Sequence, residues 1–289
     1  MIISASYKTD VPAWYGEWFM NRLHAGYCEV ANPYNNAVST VPLTRPEVDG
    51  FVFWTRNIGP FMKHLPEVRE RGYPFVVHVG VLGYPQALER TQVPPERAAE
   101  DMRKLAEEYH PRTVIWRYDP VLLTSLTGYD WHVANFRRIA GLVAGATDEV
   151  VVSFAQIYSK TRRGLERAAP EYGFTWEDPS DEVKRKLAGE LVAIAREYGM
   201  QLTICAQIQY VVPGAGEAHC IDPLRLSDVA GYMITAPKKP HRACGCYQSK
   251  DIGAYNTCLH GCVYCYAVAS CDAARARYRE HDPQAARLA

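Results

Sequence analysis

Short apolar runs alternate along this chain with stretches of helical pattern, and that alternation narrows the fold more than any other feature. The runs are Ile2–Ser6, Val38–Val41, Phe51–Thr55, Phe75–Val79, Val114–Arg117, Val150–Phe154 and Leu202–Ala206. They are rich in β-branched and aromatic residues, which suit a pleated, half-buried surface. Helical patterns fall between them over Pro12–Ala25, Pro95–Tyr109, Trp131–Val143, Lys160–Tyr172 and Asp181–Tyr198. Pro94-Pro95-Glu96 and Pro179-Ser180-Asp181-Glu182 set proline or serine ahead of acidic residues, as helix starts do. Gly199 is placed to end the last helix. Strand-then-helix alternation predicts an α/β fold with parallel strands joined by crossover helices. About seven such units fit a TIM-like β/α barrel, complete or partial; an open doubly wound sheet is the alternative.

In a barrel of this class the chemistry lies at the C-terminal ends of the strands. There the sequence places Asp10 after the first run, Arg56 after the third, Arg117 and Asp119 after the fifth, Lys160 after the sixth and Cys205 after the seventh. Charged residues are rarely buried without a partner, so several converging on one mouth would favour a ligand there. Asp10, Arg56, Arg117, Asp119 and Lys160 are therefore the candidate catalytic residues. The plainer reading of Arg117 and Asp119 is an ion pair bracing the rim.

Cysteines give a second signal. Six of the nine lie between positions 244 and 271, and such clustering favours a metal over scattered core packing. Cys258, Cys262 and Cys265 sit at spacings of four and three. Three thiolates on one short loop can hold three irons of a 4Fe–4S cluster and leave the fourth iron open. Two other readings remain. The three positions also share one face of a helix, so they could be small core residues. Cys244, Cys246 and two of the later thiols could instead make a four-cysteine zinc site. Cys244 and Cys246 could also serve a second metal, or Cys244 could close the cluster as its fourth ligand. Cys28 falls in an apolar stretch and reads as core. His219-Cys220-Ile221-Asp222, with a His, a Cys and an Asp, could be a metal site; the plainer reading is a loop before an Asp-capped helix.

The loop Cys258-Leu-His-Gly-Cys262-Val-Tyr264-Cys265, with an aromatic just before the third cysteine, resembles the signature of radical S-adenosylmethionine (radical SAM) enzymes. The resemblance implies that the open iron chelates the amino and carboxylate groups of SAM, and that Tyr264 packs beside the adenine. It implies reductive cleavage of a carbon–sulfur bond, to a 5′-deoxyadenosyl or a 3-amino-3-carboxypropyl radical, and a reductant such as flavodoxin or ferredoxin. His260 and Gly261, inside the loop, join Tyr264 as cofactor contacts. His260 would donate to a cluster sulfide or face solvent in the turn. Arg56, Arg117 or Lys160 could pair a carboxylate of SAM or substrate, and Asp10 or Asp119 could accept from the ammonium or ribose. Two features depart from that superfamily. The cysteine loop follows about 255 residues instead of the first strand, and no Gly-Gly-Glu stretch is present. More widely, Thr9-Asp-Val-Pro-Ala-Trp-Tyr-Gly-Glu-Trp-Phe, Phe53-Trp-Thr-Arg, Trp116-Arg-Tyr-Asp-Pro and Asp251-Ile-Gly-Ala-Tyr-Asn-Thr-Cys resemble a bacterial family of uncharacterised domains with the same C-terminal cysteine block.

Lys plus Arg and Asp plus Glu are 32 each, so no basic excess points to nucleic acid. A small molecule or peptide is the expected substrate. The start, Met-Ile-Ile-Ser-Ala-Ser-Tyr-Lys, lacks the basic and apolar regions of a signal peptide, and no apolar run is long enough to span a bilayer. The expectation is a soluble cytoplasmic protein without a disulfide framework. The turn-rich break opening Pro-Lys-Lys-Pro-His-Arg divides a body of residues 1–240 from a cysteine-bearing segment, 241–289, that has too few aliphatics to fold alone. Its Ala-rich stretch to Tyr278 predicts a closing helix.

Overall fold

The computed structural model describes residues 1–240 and 244–289. Its elements run β1 (Ile2–Ala5), α1 (Val11–Trp14), α2 (Gly16–Ala25), β2 (Tyr27–Ala31), β3 (Val38–Pro42), β4 (Gly50–Thr55), α3 (Leu65–Glu70) and β5 (Phe75–Gly80). They continue with α4 (Pro95–Glu108), β6 (Val114–Val121), α5 (Tyr129–Val143), β7 (Glu149–Phe154), α6 (Ser159–Tyr172), α7 (Asp181–Glu197) and β8 (Gln201–Ile204). Last come β9 (Gly216–Glu217), α8 (Pro223–Ala230), β10 (Lys250–Asp251) and α9 (Cys271–Arg279).

Eight strands form one parallel sheet in the order β10-β1-β4-β5-β6-β7-β8-β9. The order rises without reversal from β1 to β9, and β10 returns to lie outside β1. Side chains alternate between the two faces of a strand, and here both faces are covered. Ile3, Phe51, Phe53, Val77, Trp116 and Val152 belong to the larger core, which the crossover helices share. Ile2, Val52, Val76, Ile115 and Val151 belong to a smaller one, with Cys220, Ile221 and Leu226. Burial on both faces explains why these strands read as continuous apolar runs.

The two end strands, β9 and β10, do not pair with each other among the described residues. Between them the chain is held by Lys239 N–H to Cys246 C=O at 3.0 Å, Tyr247 N–H to Ile221 C=O at 3.0 Å and Gln248 N–H to Pro237 C=O at 2.8 Å.

One expected strand is misplaced. Val38–Val41 lies in β3, which pairs antiparallel with β2 in a separate hairpin. Only Val41 of that run is buried, so it lacks the second apolar face that the parallel sheet requires. Pro12–Ala25 is two helices. Asp10 caps the first, accepting from Ala13 N–H at 2.9 Å, and Tyr15 breaks the run with φ −127°. Ser180 caps α7, and Asp222 caps α8 through Leu224 N–H at 2.9 Å.

The cysteine-bearing segment docks on the body at several points; its first residues, His241 to Ala243, lie outside the described residues. Asp251, in β10, accepts from Ser6 Oγ at 2.8 Å, Ser4 Oγ at 3.1 Å and Tyr7 N–H at 3.1 Å. Gly253 passes so close to Ser6 that a Cβ there would stand 2.1 Å from the hydroxyl. After α9, which Ser270 caps, the chain end crosses α2. It takes hydrogen bonds from Trp18 Nε1 to Ala285 C=O at 3.0 Å and from Arg22 to Gln284 C=O at 2.8 Å.

Candidate functional site

The loop Cys258–Cys265 is irregular, so the three thiols do not share a helix face. It is wedged between α6 and the chain at 88–91. Val263 N–H donates to Leu88 C=O at 3.0 Å, and Thr91 N–H donates to His260 C=O at 3.1 Å. Thr161 Oγ1, on α6, donates to Tyr264 C=O at 3.2 Å. Gly164 makes the contact with α6 possible, because a Cβ there would fall 2.0 Å from Val263 C=O. Gly261 turns the loop in the left-handed region, φ +72°, which glycine adopts without steric cost.

Backbone N–H groups of His260 and Asp10 reach the Cys258 sulfur. Those of Ala267, at 3.3 Å, and Val268 reach Cys265. Donors of this kind stabilise thiolate and tune cluster potentials. Burial pushes the Cys258 thiol up to about 12 and raises Cys262 and Cys265 as well. Without a cation beside them these sulfurs hold their protons; a bound metal removes them. None of the three sulfurs is within hydrogen-bonding distance of another among the described residues, and no three His, Cys, Asp or Glu side chains there form a ready-made site for one metal ion.

His260, expected in part as a solvent-facing residue, is buried. Its Nε2 meets Asp10 Oδ2 at 2.7 Å. A carboxylate only accepts, so Nε2 carries a proton. Nδ1 is buried and has no partner. With Nε2 bonded to Asp10, Nδ1 is the ring nitrogen left for any bond to a cluster sulfide. Asp10 also accepts from Arg56 N–H at 2.7 Å, so its charge is spent on α1, on the start of the 56–58 turn and on His260.

Arg56 pairs with Glu89 at 2.5 Å and donates to Tyr264 Oη at 2.8 Å; the Tyr264 hydroxyl in turn donates to Glu89. Tyr264 is buried with its ring edge-on to Tyr84 at 5.9 Å. Glu89 was not visible in the sequence as a site residue, because it lies in a loop with no periodicity. Arg117 is paired with Asp119, as the plainer reading expected, and Ser153 Oγ donates to Asp119. The remaining Arg117 nitrogen donates to Cys220 Sγ at 3.1 Å, and its guanidinium lies 5.0 Å over the Trp54 ring.

A cavity of about 520 Å³ brings these parts together. Its walls include Cys258, Cys262, Cys265, His260 and Tyr264 from the loop, and Asp10, Arg56, Arg117, Asp119 and Ser153 from the strand ends. Cys205, Cys220, Cys244 and Cys246 line it too. Lys160 does not. It lines a smaller cavity of about 170 Å³ on the other side of the loop, with Arg163, Arg167 and the same three cysteines. Among the described residues Lys160 has no ion pair, and it lies 5.5 Å from the Tyr255 ring.

The fold and site define a parallel α/β protein with a thiol-rich cavity at the C-terminal ends of its strands. The chain belongs to the family described as Domain of unknown function (DUF1848), whose model matches residues 2–267. Among curated proteins none matches it. Among solved structures a crystal structure of D-hydantoinase is similar at 12% identity and a TM-score of 0.32, covering 72% of this chain and 42% of that one. The chain thus spans about two fifths of that protein's length, and the likeness is too loose to carry an argument. No helix among the described residues is long and apolar enough to cross a membrane.

Proposed function

We propose that the chain is a radical SAM-type enzyme whose cluster is held by Cys258, Cys262 and Cys265 and works on ligands in the 520 Å³ cavity. One observation carries the reading: the three thiols of one loop share a ligand-sized cavity with polar groups from several strand ends. Cavities of roughly 300–1,000 Å³ are typical of small-molecule sites. A 4Fe–4S cluster needs its thiolates spaced around a cube, and sulfurs out of contact with one another suit that better than a single ion. Lys160, Arg163 and Arg167 line the far side of the loop, where cations offset the negative charge of three thiolates.

When bound, such a cluster supplies the electron that splits a carbon–sulfur bond of SAM. The chain's own residues bind and orient. The His260 ring, held by Asp10, lines the cavity as a polar contact for a ligand. Arg56 and Arg117 are already paired, so they present a polar wall of fixed shape; neither is a free cation waiting for a carboxylate. A small molecule or peptide is the substrate class, and a reductant of the flavodoxin or ferredoxin kind supplies electrons. The sheet, which rises in order round to a gap between β9 and β10 and has a filled second face, is read here as a partial TIM-like barrel with the cavity at its mouth.

Anaerobic reconstitution with iron and sulfide, then dithionite reduction with SAM, tests the proposal. The expected outcome is a brown protein holding about four irons that converts SAM to 5′-deoxyadenosine or methylthioadenosine, and whose Cys262→Ala variant does neither. Full iron content in Cys262→Ala, or intact SAM after reduction of the loaded protein, would overturn it.

A further inference from the structure

Four more cysteines converge away from that loop. Cys205 follows β8, Cys220 precedes α8, and Cys244 and Cys246 precede β10. Cys205 Sγ and Cys220 Sγ are 3.5 Å apart. Cys246 is a hydrogen-bond partner of both Cys220 and Cys244. The four thiols, drawn from three segments of the fold, thus gather on one wall of the cavity.

Two cationic side chains reach this cluster of thiols. Arg117 donates to Cys220 Sγ at 3.1 Å. Lys238 Nζ donates to Gly245 C=O at 3.4 Å, beside the turn that carries Cys244 and Cys246. That turn requires glycine, because a Cβ on Gly245 would meet His219 and Glu217 at 2.7 and 2.8 Å. His78 Nε2 meets Cys220 C=O at 2.8 Å and fixes the backbone there.

We infer that Cys205, Cys220, Cys244 and Cys246 bind a single zinc ion that staples the sheet across the gap between β9 and β10. An ion about 2.3 Å from four sulfurs spaces them about 3.8 Å apart, close to the observed Cys205–Cys220 separation. A cube-shaped cluster needs its thiolates much further apart, and four thiolates are the set that selects zinc. The four thiols are not yet a tetrahedron. Each S–H here can point to a neighbouring sulfur, and zinc replaces those protons, releasing them to solvent and drawing Cys205 and Cys244 inward. The ion would join β8, the entry to α8 and the segment leading to β10, where no strand-to-strand hydrogen bonds among the described residues do so.

This site does not depend on the cluster loop, so the test removes the loop's thiols. A Cys258→Ala, Cys262→Ala, Cys265→Ala chain expressed with zinc should carry about one zinc per molecule by atomic emission. Stripped and titrated with Co²⁺, it should develop thiolate-to-cobalt charge-transfer absorption. Adding Cys205→Ser and Cys220→Ser should abolish both. Should the triple variant fail to fold, the same two serine substitutions in the otherwise native chain should lower zinc by one equivalent, whatever happens to iron. Folded triple variant with neither zinc nor cobalt absorption, zinc unaffected by the serines, or a Cys205–Cys220 disulfide in anaerobically purified protein would each overturn the inference.

Discussion

Arg56 and Glu89 are a buried ion pair completed by the Tyr264 hydroxyl. Such a pair contributes little net stability compared with apolar packing, but removing one partner strands the other charge, at a cost of about 3–5 kcal/mol. Glu89→Gln should therefore lower the denaturant midpoint strongly, and Arg56→Met should do so nearly as much. Arg56→Met with Glu89→Leu should recover much of the loss. A double-mutant cycle from urea unfolding checks this; independent, additive effects would mean that the pair is not coupled. The sequence singled out Arg56 and Tyr264 as candidate site residues, but it did not reveal the partner they share. Each is committed to a partner, Glu89, whose loop carries no periodic signal. His260 was legible through its place in the cysteine loop. Its bond to Asp10 crosses 250 positions and left no mark in either local sequence.

At the scale of elements, α6 and the cysteine loop are matched through Gly164. Alanine is the better helix former by about 1 kcal/mol, so Gly164→Ala would stabilise a free helix. Here the added methyl meets Val263 C=O at 2.0 Å, and a backbone carbonyl cannot swing aside. Overpacking of this kind costs about 1–3 kcal/mol, and the displaced loop should loosen first. The expected result is a lower melting temperature, with faster hydrogen exchange at residues 258–267 and unchanged exchange in β6 and β7. Unchanged loop protection would show that the loop is held elsewhere. Long helices and two-faced strands were legible because their patterns extend over many residues. β9 and β10 were not, because a two-residue strand has no period to read, and β3 was misassigned because its single buried position, Val41, cannot distinguish a hairpin from a sheet strand.

Over the whole molecule, the segment after residue 240 completes the body as much as it decorates it. β10 covers the free edge of β1, Asp251 takes the hydroxyls of Ser4 and Ser6, and the chain end covers Trp18. A chain ending at Pro240 should expose an unpaired parallel edge beside a stripped apolar helix, the arrangement that promotes aggregation. It should be insoluble or lack fixed tertiary packing, as read by soluble yield and amide dispersion in NMR. A well-dispersed spectrum from residues 1–240 would show that the body folds alone.

By itself the sequence determined a parallel α/β fold, the caps of its longer helices and the three thiols of one loop. Those properties are local: periodicity, capping and spacing act within a few turns of chain. Tertiary structure alone decided that β3 leaves the sheet and that β10 joins it, that Asp10 holds His260, and that Cys205 and Cys220 meet Cys244 and Cys246. Such meetings depend on which buried faces find each other across tens to hundreds of residues, and the chain encodes that only in the packing of the whole core.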